Sequence, residues 1–80
     1  MSQLEFEVVF NENNSGDATI EMVADYIEGE MDKMQWNTQE EEMNLLKRIV
    51  EHDLNGVFII IDENKVKADF SHPLWIPCFH

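Results

Sequence analysis

Basic side chains are almost missing from the front of this chain. Among its 80 residues, five Lys and Arg stand against seventeen Asp and Glu, a formal charge of −12. From Met1 to Leu46 there are twelve acids and the single base Lys33, whereas Lys47 to His80 holds five acids and four bases. The first half therefore carries almost all of the charge. A surface so poor in Lys and Arg cannot neutralise phosphates, which argues against nucleic acid as a direct ligand. It favours a cationic partner and high solubility, and says nothing about fold.

Other scarcities narrow the class further. Cys78 is the only cysteine, which rules out an internal disulfide framework and fits a reducing interior. Gly16, Gly29 and Gly56 are isolated from one another, so there is no phosphate-cradling loop. No apolar run approaches the roughly 20 residues of a membrane span. The start, Met1 to Glu5, lacks the basic and apolar regions of a secretory leader. The expectation is a cytoplasmic protein, in the host cytoplasm if it is phage encoded, with no membrane partner. At 44% apolar, the chain is too hydrophobic to be disordered. Residues 1–80 are expected to form a single compact domain of adequate but small core.

What is present has clear periods. Leu4, Phe6, Val8 and Phe10 alternate with Glu5, Glu7 and Val9, the pattern of a strand with one buried face. The polar stretch Asn11 to Asp17 reads as a loop, with Asp17 as N-cap of a helix reaching about Gln35. Within it Ile20, Val23, Ile27, Met31 and Met34 recur at three- and four-residue steps. Thr38 with Glu41 forms a capping-box pattern, and Glu40, Glu41 and Glu42 suit the first turn of a second helix. Met43, Leu46, Ile49, Val50 and Leu54 supply its apolar face, and Asn55 with Gly56 stops it.

The run Val57 to Ile61 is continuously apolar, which predicts a central strand covered on both faces. A tight turn at Asp62 to Lys65 then leads into a hairpin partner, Val66 to Phe70. The order predicts an α+β domain, β-α-α-β-β, with an antiparallel sheet and two helices packed on one face. Residues 71–80, with Pro73 and Pro77, are expected as an extended C-terminal strap.

The most specific constellation lies on the first helix. At 100° per residue, Glu21, Asp25, Glu28 and Asp32 fall within about 60° of one another, opposite the apolar stripe, in a row roughly 16 Å long. Such repulsion lowers helix stability by a few tenths of a kcal/mol per pair. An ordinary solvated face mixes Glu with Lys, and this one does not. Glu5, Glu7, Glu12 and the run Glu40, Glu41, Glu42 are expected to extend the negative surface, with Tyr26, Trp36 and Met22 as apolar anchors at its rim. Trp75 and Phe79 are the anchors of a second candidate interface, should the C-terminal segment be exposed and not part of the core.

Metal and catalytic chemistry find less support. Asp17, Glu21, Asp25 and Glu40 to Glu42 lack calcium-loop spacing. His52, His72, Cys78 and His80 match no zinc spacing. Water-facing carboxylates do not provide the two contrasting environments that acid and base catalysis needs. No catalytic residue, metal or cofactor is therefore expected.

Small size, strong acidity and no catalytic set are the profile of the DNA-mimic, anti-CRISPR and anti-restriction inhibitors made by phages and other mobile elements. That is a likeness of class only. The expected function is an acidic inhibitor that blocks a basic nucleic-acid-binding protein or complex. The alternative is a non-catalytic adaptor or homodimer using the apolar C-terminal segment.

Overall fold

The computed structural model describes residues 4–14 and 18–76. Strand β1 spans Glu5–Phe10 and is followed by a short 3-10 turn, Glu12–Asn14. Helices α1, Ile20–Lys33, and α2, Gln39–Arg48, come next. A π-helical segment, Ile49–Asp53, prolongs α2, and strands β2, Val57–Asp62, and β3, Lys65–Phe70, complete the order. The β-α-α-β-β order and the α+β class are those expected from the periodicity.

Helix α1 is capped by Thr19, which has an extended backbone and whose Oγ1 accepts the Met22 N–H at 3.2 Å, while its carbonyl accepts the Val23 N–H at 3.1 Å. The expected cap, Asp17, lies outside the described residues. Val23, Ile27 and Met31 form its buried stripe, whereas Ile20 and Met34, near the two ends of the helix, remain exposed. In α2 the Thr38 Oγ1 accepts the Glu41 N–H at 3.1 Å. The Glu41 carboxylate turns back to accept the Asn37 N–H at 2.7 Å, one residue before the usual capping-box donor. Orphan amides at this helix start are thereby satisfied.

Beyond Arg48 the helix widens, and the Leu54 N–H donates to the Ile49 carbonyl five residues back. Ile49, Val50 and Leu54 are all fully buried by this arrangement. Asn55 takes the left-handed conformation at φ 57°, a role Asn fills with less strain than most residues. The Gly56 N–H then reaches the Val50 carbonyl at 2.8 Å. A Cβ at Gly56 would collide with the Phe70 ring, so glycine is required there by close packing.

The sheet has the order β1-β3-β2, and two expectations about it are corrected. First, it is mixed: β3 pairs parallel to β1 and antiparallel to β2. Both helices occur between β1 and the hairpin, so the chain crosses the sheet before β3 inserts beside β1. Second, Val57–Ile61 is an edge strand, and β3 is the central one. Both helices pack on the face formed by Phe6, Val8, Phe10, Val66, Ala68 and Phe70. Among the described residues there is a single helix layer, so no strand is covered on both faces, and the apolar run in β2 is left largely exposed.

The hairpin turn is clamped from two sides. Gln39 Nε2 donates to the Glu63 carbonyl and to Asn64 Oδ1, while the Glu5 N–H donates to the Asn64 carbonyl. The segment after β3 closes the opposite end of the core. Trp75 is 5% exposed, and its indole N–H donates to the Leu54 carbonyl at 2.8 Å. Its ring meets Phe10 edge-on and lies tilted against Phe70.

Candidate protein-binding interface

The acidic row forms on α1 as the helical spacing requires. Glu21, Asp25, Glu28 and Asp32 are all exposed, on the side away from Val23, Ile27 and Met31. Lys33, the only base before Lys47, is occupied by Glu30 on another face of the helix, at 3.2 Å. Among the described residues no basic side chain pairs with the row. Met22, exposed beside it, is the apolar side chain available at its rim.

The α2 end contributes less than its composition implies. Glu40 is exposed in the first turn of α2, which follows α1 after the connection 34–38. Glu41 is exposed too, but one carboxylate oxygen is engaged by the Asn37 N–H. Glu42 is not part of the outer surface: it is 7% exposed. It shares the inward face with Leu46 and Ile49, four and seven residues on, a spacing that could have placed it there from the sequence. Tyr26 and Trp36 are likewise half-buried against the core and are not free anchors. Tyr26 follows Val23 by one helical turn, and this proximity draws it inward.

The remaining acids face elsewhere. Glu5 and Glu7 are exposed on the sheet face opposite the helices, next to Lys65 and Lys67 of β3. They do not extend the α1 row, because the sheet lies between. Cross-strand neighbours of opposite charge support the sheet instead. Glu12 lies in the turn after β1.

The second candidate interface is divided. Trp75 belongs to the core, Phe79 lies outside the described residues, and Leu74 and Ile76 point outward on either side of Trp75. The expected extended strap is interrupted here by a turn at Pro73 and Leu74, where the Trp75 N–H donates to the His72 carbonyl at 3.0 Å. Asp69 closes β3 by accepting both the Ser71 hydroxyl at 2.6 Å and its N–H at 2.8 Å. These bonds, helped by Lys67 and His72, hold its carboxyl below the ordinary value of 3.8 against a smaller opposing effect of burial.

Metal-ligating side chains do not gather in groups of three or more among the described residues. His52 Nδ1 lies 3.2 Å from the Asp53 carboxylate, and His72 Nδ1 accepts the Leu74 N–H at 3.0 Å. Cys78 and His80 lie outside the described residues. No described helix is long and apolar enough to cross a membrane. Comparison with protein-family models, with curated proteins and with solved structures finds no match to this chain.

Proposed function

We propose that this chain is a non-enzymatic inhibitor that occupies the basic nucleic-acid-binding surface of a nucleic-acid-handling protein or complex. The observation that carries this reading is the row Glu21, Asp25, Glu28 and Asp32, exposed and unopposed by any base among the described residues. Four like charges on one helix face cost folding energy, about a few tenths of a kcal/mol per neighbouring pair. A partner rich in Arg and Lys recovers that cost through charge-assisted bonds and speeds association. Glu40 continues the row, and Met22 adds an apolar contact against dissociation. Tyr26 and Trp36, half-buried against the core, support the helices that carry the row.

The test uses the wild type and a variant carrying Glu21→Lys, Asp25→Lys, Glu28→Lys and Asp32→Lys as baits in nuclease-treated bacterial lysate. All four positions face solvent, so circular dichroism should show an unchanged fold. The wild type should retain a nucleic-acid-binding protein that elutes as salt rises toward about 0.5 M, where the screening length falls to a few ångströms. Addition of the wild type, but not the variant, should then block nucleic acid binding by that purified protein. Equal retention by both baits, or capture without any block of nucleic acid binding, refutes the reading.

A further inference from the structure

The two edges of the sheet are built differently. β1 places Glu5 and Glu7 along its open face, and charges of this kind discourage pairing with another strand. β2 runs through Val57, Phe58, Ile59, Ile60 and Ile61 before it reaches Asp62. Four of these side chains are well exposed: Val57 50%, Ile59 36%, Ile60 63% and Ile61 49%. An edge strand also turns a row of backbone N–H and C=O groups outward, a template for a further strand. Val57 continues into a shallow hollow of about 380 Å³ shared with Leu74 and Ile76, which are 80% and 75% exposed.

We propose that β2 is a self-association edge. Two copies of the chain pair β2 against β2, antiparallel about a two-fold axis at Ile59, and join their sheets into one of six strands. This contact is separate from the acidic row and does not rest on the function proposed for it.

Charge selects a second copy as the occupant and also selects the register. At −12 the chain repels itself, so self-contact is favourable only where acids are absent. Val57 to Ile61 carries none, and α1 packs against β1 at the other edge. An axis at Ile59 sets Phe58 against the second copy's Ile60 and brings Val57 beside its Ile61, where the β2–β3 register shifts between Ile60 and Asp62 and the new ladder ends. Asp62 then lies opposite Gly56, and the two carboxylates stay apart. An axis at Ile60 would force Phe58 against Asp62. With the axis at Ile59, the Lys67 residues of the two copies, each beside Ile59, stand three strand spacings apart, about 14 Å. That exceeds the screening length of about 8 Å at physiological salt.

Area points to a weak dimer. A fully exposed aliphatic side chain presents on the order of 100 Å² of apolar surface, so the exposed fractions of the six residues amount to roughly 350 Å² per copy. A standard interface buries about 800 Å² per partner, about two-thirds of it apolar in homodimers. The patch therefore supplies at most about two-thirds of the apolar surface required, because Ile59 and Ile60 point to opposite faces of β2, and a backbone ladder adds to it. Dissociation in the micromolar range is expected.

Sedimentation velocity of the full chain from about 1 to about 300 μM should show a monomer giving way to a dimer. Rising salt should strengthen this dimer by screening the net charge, the opposite of its effect on a cationic partner. Ile59→Glu adds a carboxylate beside Lys67 within the chain, which supports the strand, while setting like charges against each other at the axis. It should weaken dimerisation at least tenfold with an unchanged unfolding midpoint. Ile59→Thr, which keeps a β-branched residue, should weaken it less. In a Cys78→Ser background, Ile59→Cys should oxidise to a disulfide dimer, because residue 59 faces its own copy within about 5.5 Å. Ile61→Cys should not. A wild type that stays monomeric throughout the range, or equal cross-linking from both positions, overturns the proposal. Should Ile59→Glu unfold, the two cysteine variants still decide.

Discussion

Replacing Trp75 by alanine tests whether the segment after β3 is part of the core. The ring lies 5.6 Å from Phe10 and 5.2 Å from Phe70, and its N–H satisfies the Leu54 carbonyl at 2.8 Å. Truncating a buried Trp costs about 3–5 kcal/mol. That figure already contains the lost aromatic pairing and the carbonyl left without its donor. An 80-residue domain has a total stability of roughly 4–12 kcal/mol, so Trp75→Ala should remove a large share of it and, toward the lower end of that range, unfold the chain. Trp75→Phe keeps a ring against Phe10 and Phe70 but removes the donor, and should cost about 1–2 kcal/mol. The assay is urea unfolding followed by far-ultraviolet circular dichroism, because the substitution itself alters the fluorescence. At a slope of about 1–1.5 kcal/mol per molar urea, a loss of 4 kcal/mol moves the midpoint by roughly 3 M. A midpoint for Trp75→Ala within about 1 M of wild type would refute the core role. The segment would then act only through contacts with other molecules, and its loss would appear in association alone.

Two further predictions concern packing and pH. Alanine at Gly56 would bring a Cβ to 2.7 Å from Cδ1 and 2.9 Å from Cζ of the fully buried Phe70, and should destabilise by about 1–3 kcal/mol. The same change at Gly29, exposed within α1 with nothing nearby, should stabilise by about 0.5–1 kcal/mol. Urea midpoints that move in the same direction for both variants would contradict this packing account. For Asp69 the folded carboxyl is held below 3.8 by Ser71, so its contribution is full above the unfolded value and fades as pH falls through the folded one. Asp69→Asn keeps an oxygen acceptor but cannot titrate. The stability gap between wild type and this variant should therefore narrow from about pH 6 to about pH 3. A gap that stays constant over that range would remove the carboxylate from the explanation.

The helices were legible in the sequence because local chemistry specifies them. Thr38 with Glu41 marked the start of α2, and the three- and four-residue recurrence of Val23, Ile27 and Met31 marked the buried face of α1. Sheet position was not legible, because it depends on where the crossing chain leaves room. Val57 to Ile61 has the composition of a doubly covered strand, but cover is set by the number of helix layers, and here there is one. Val66, Ala68 and Phe70, alternating with Lys67 and Asp69, occupy the centre while needing only one apolar face. Within the acidic surface, residue type was a poorer guide than phase. Glu42 resembles Glu40 and Glu41 in composition, yet its spacing from Leu46 turns it inward.

What these corrections expose is a division of the surface. The acidic row is carried by α1 against the β1 side of the sheet, and the uncharged apolar edge is β2 on the other. Neither surface obstructs the other, so one molecule can use both at once. In a dimer joined through β2, the two β1 strands lie five strand spacings apart, about 24 Å. The two-fold axis runs perpendicular to the joined sheet, which keeps both helix layers on one side. The acidic rows then face the same way, and a cationic partner broad enough to meet both gains from bivalence as well as charge. Salt separates the two contributions: it weakens each row's attraction while strengthening the joint that holds the rows together. Binding by a β2 variant that cannot dimerise should consequently lose more affinity for a broad partner than for a narrow one. Equal losses would show that the edge and the row act independently.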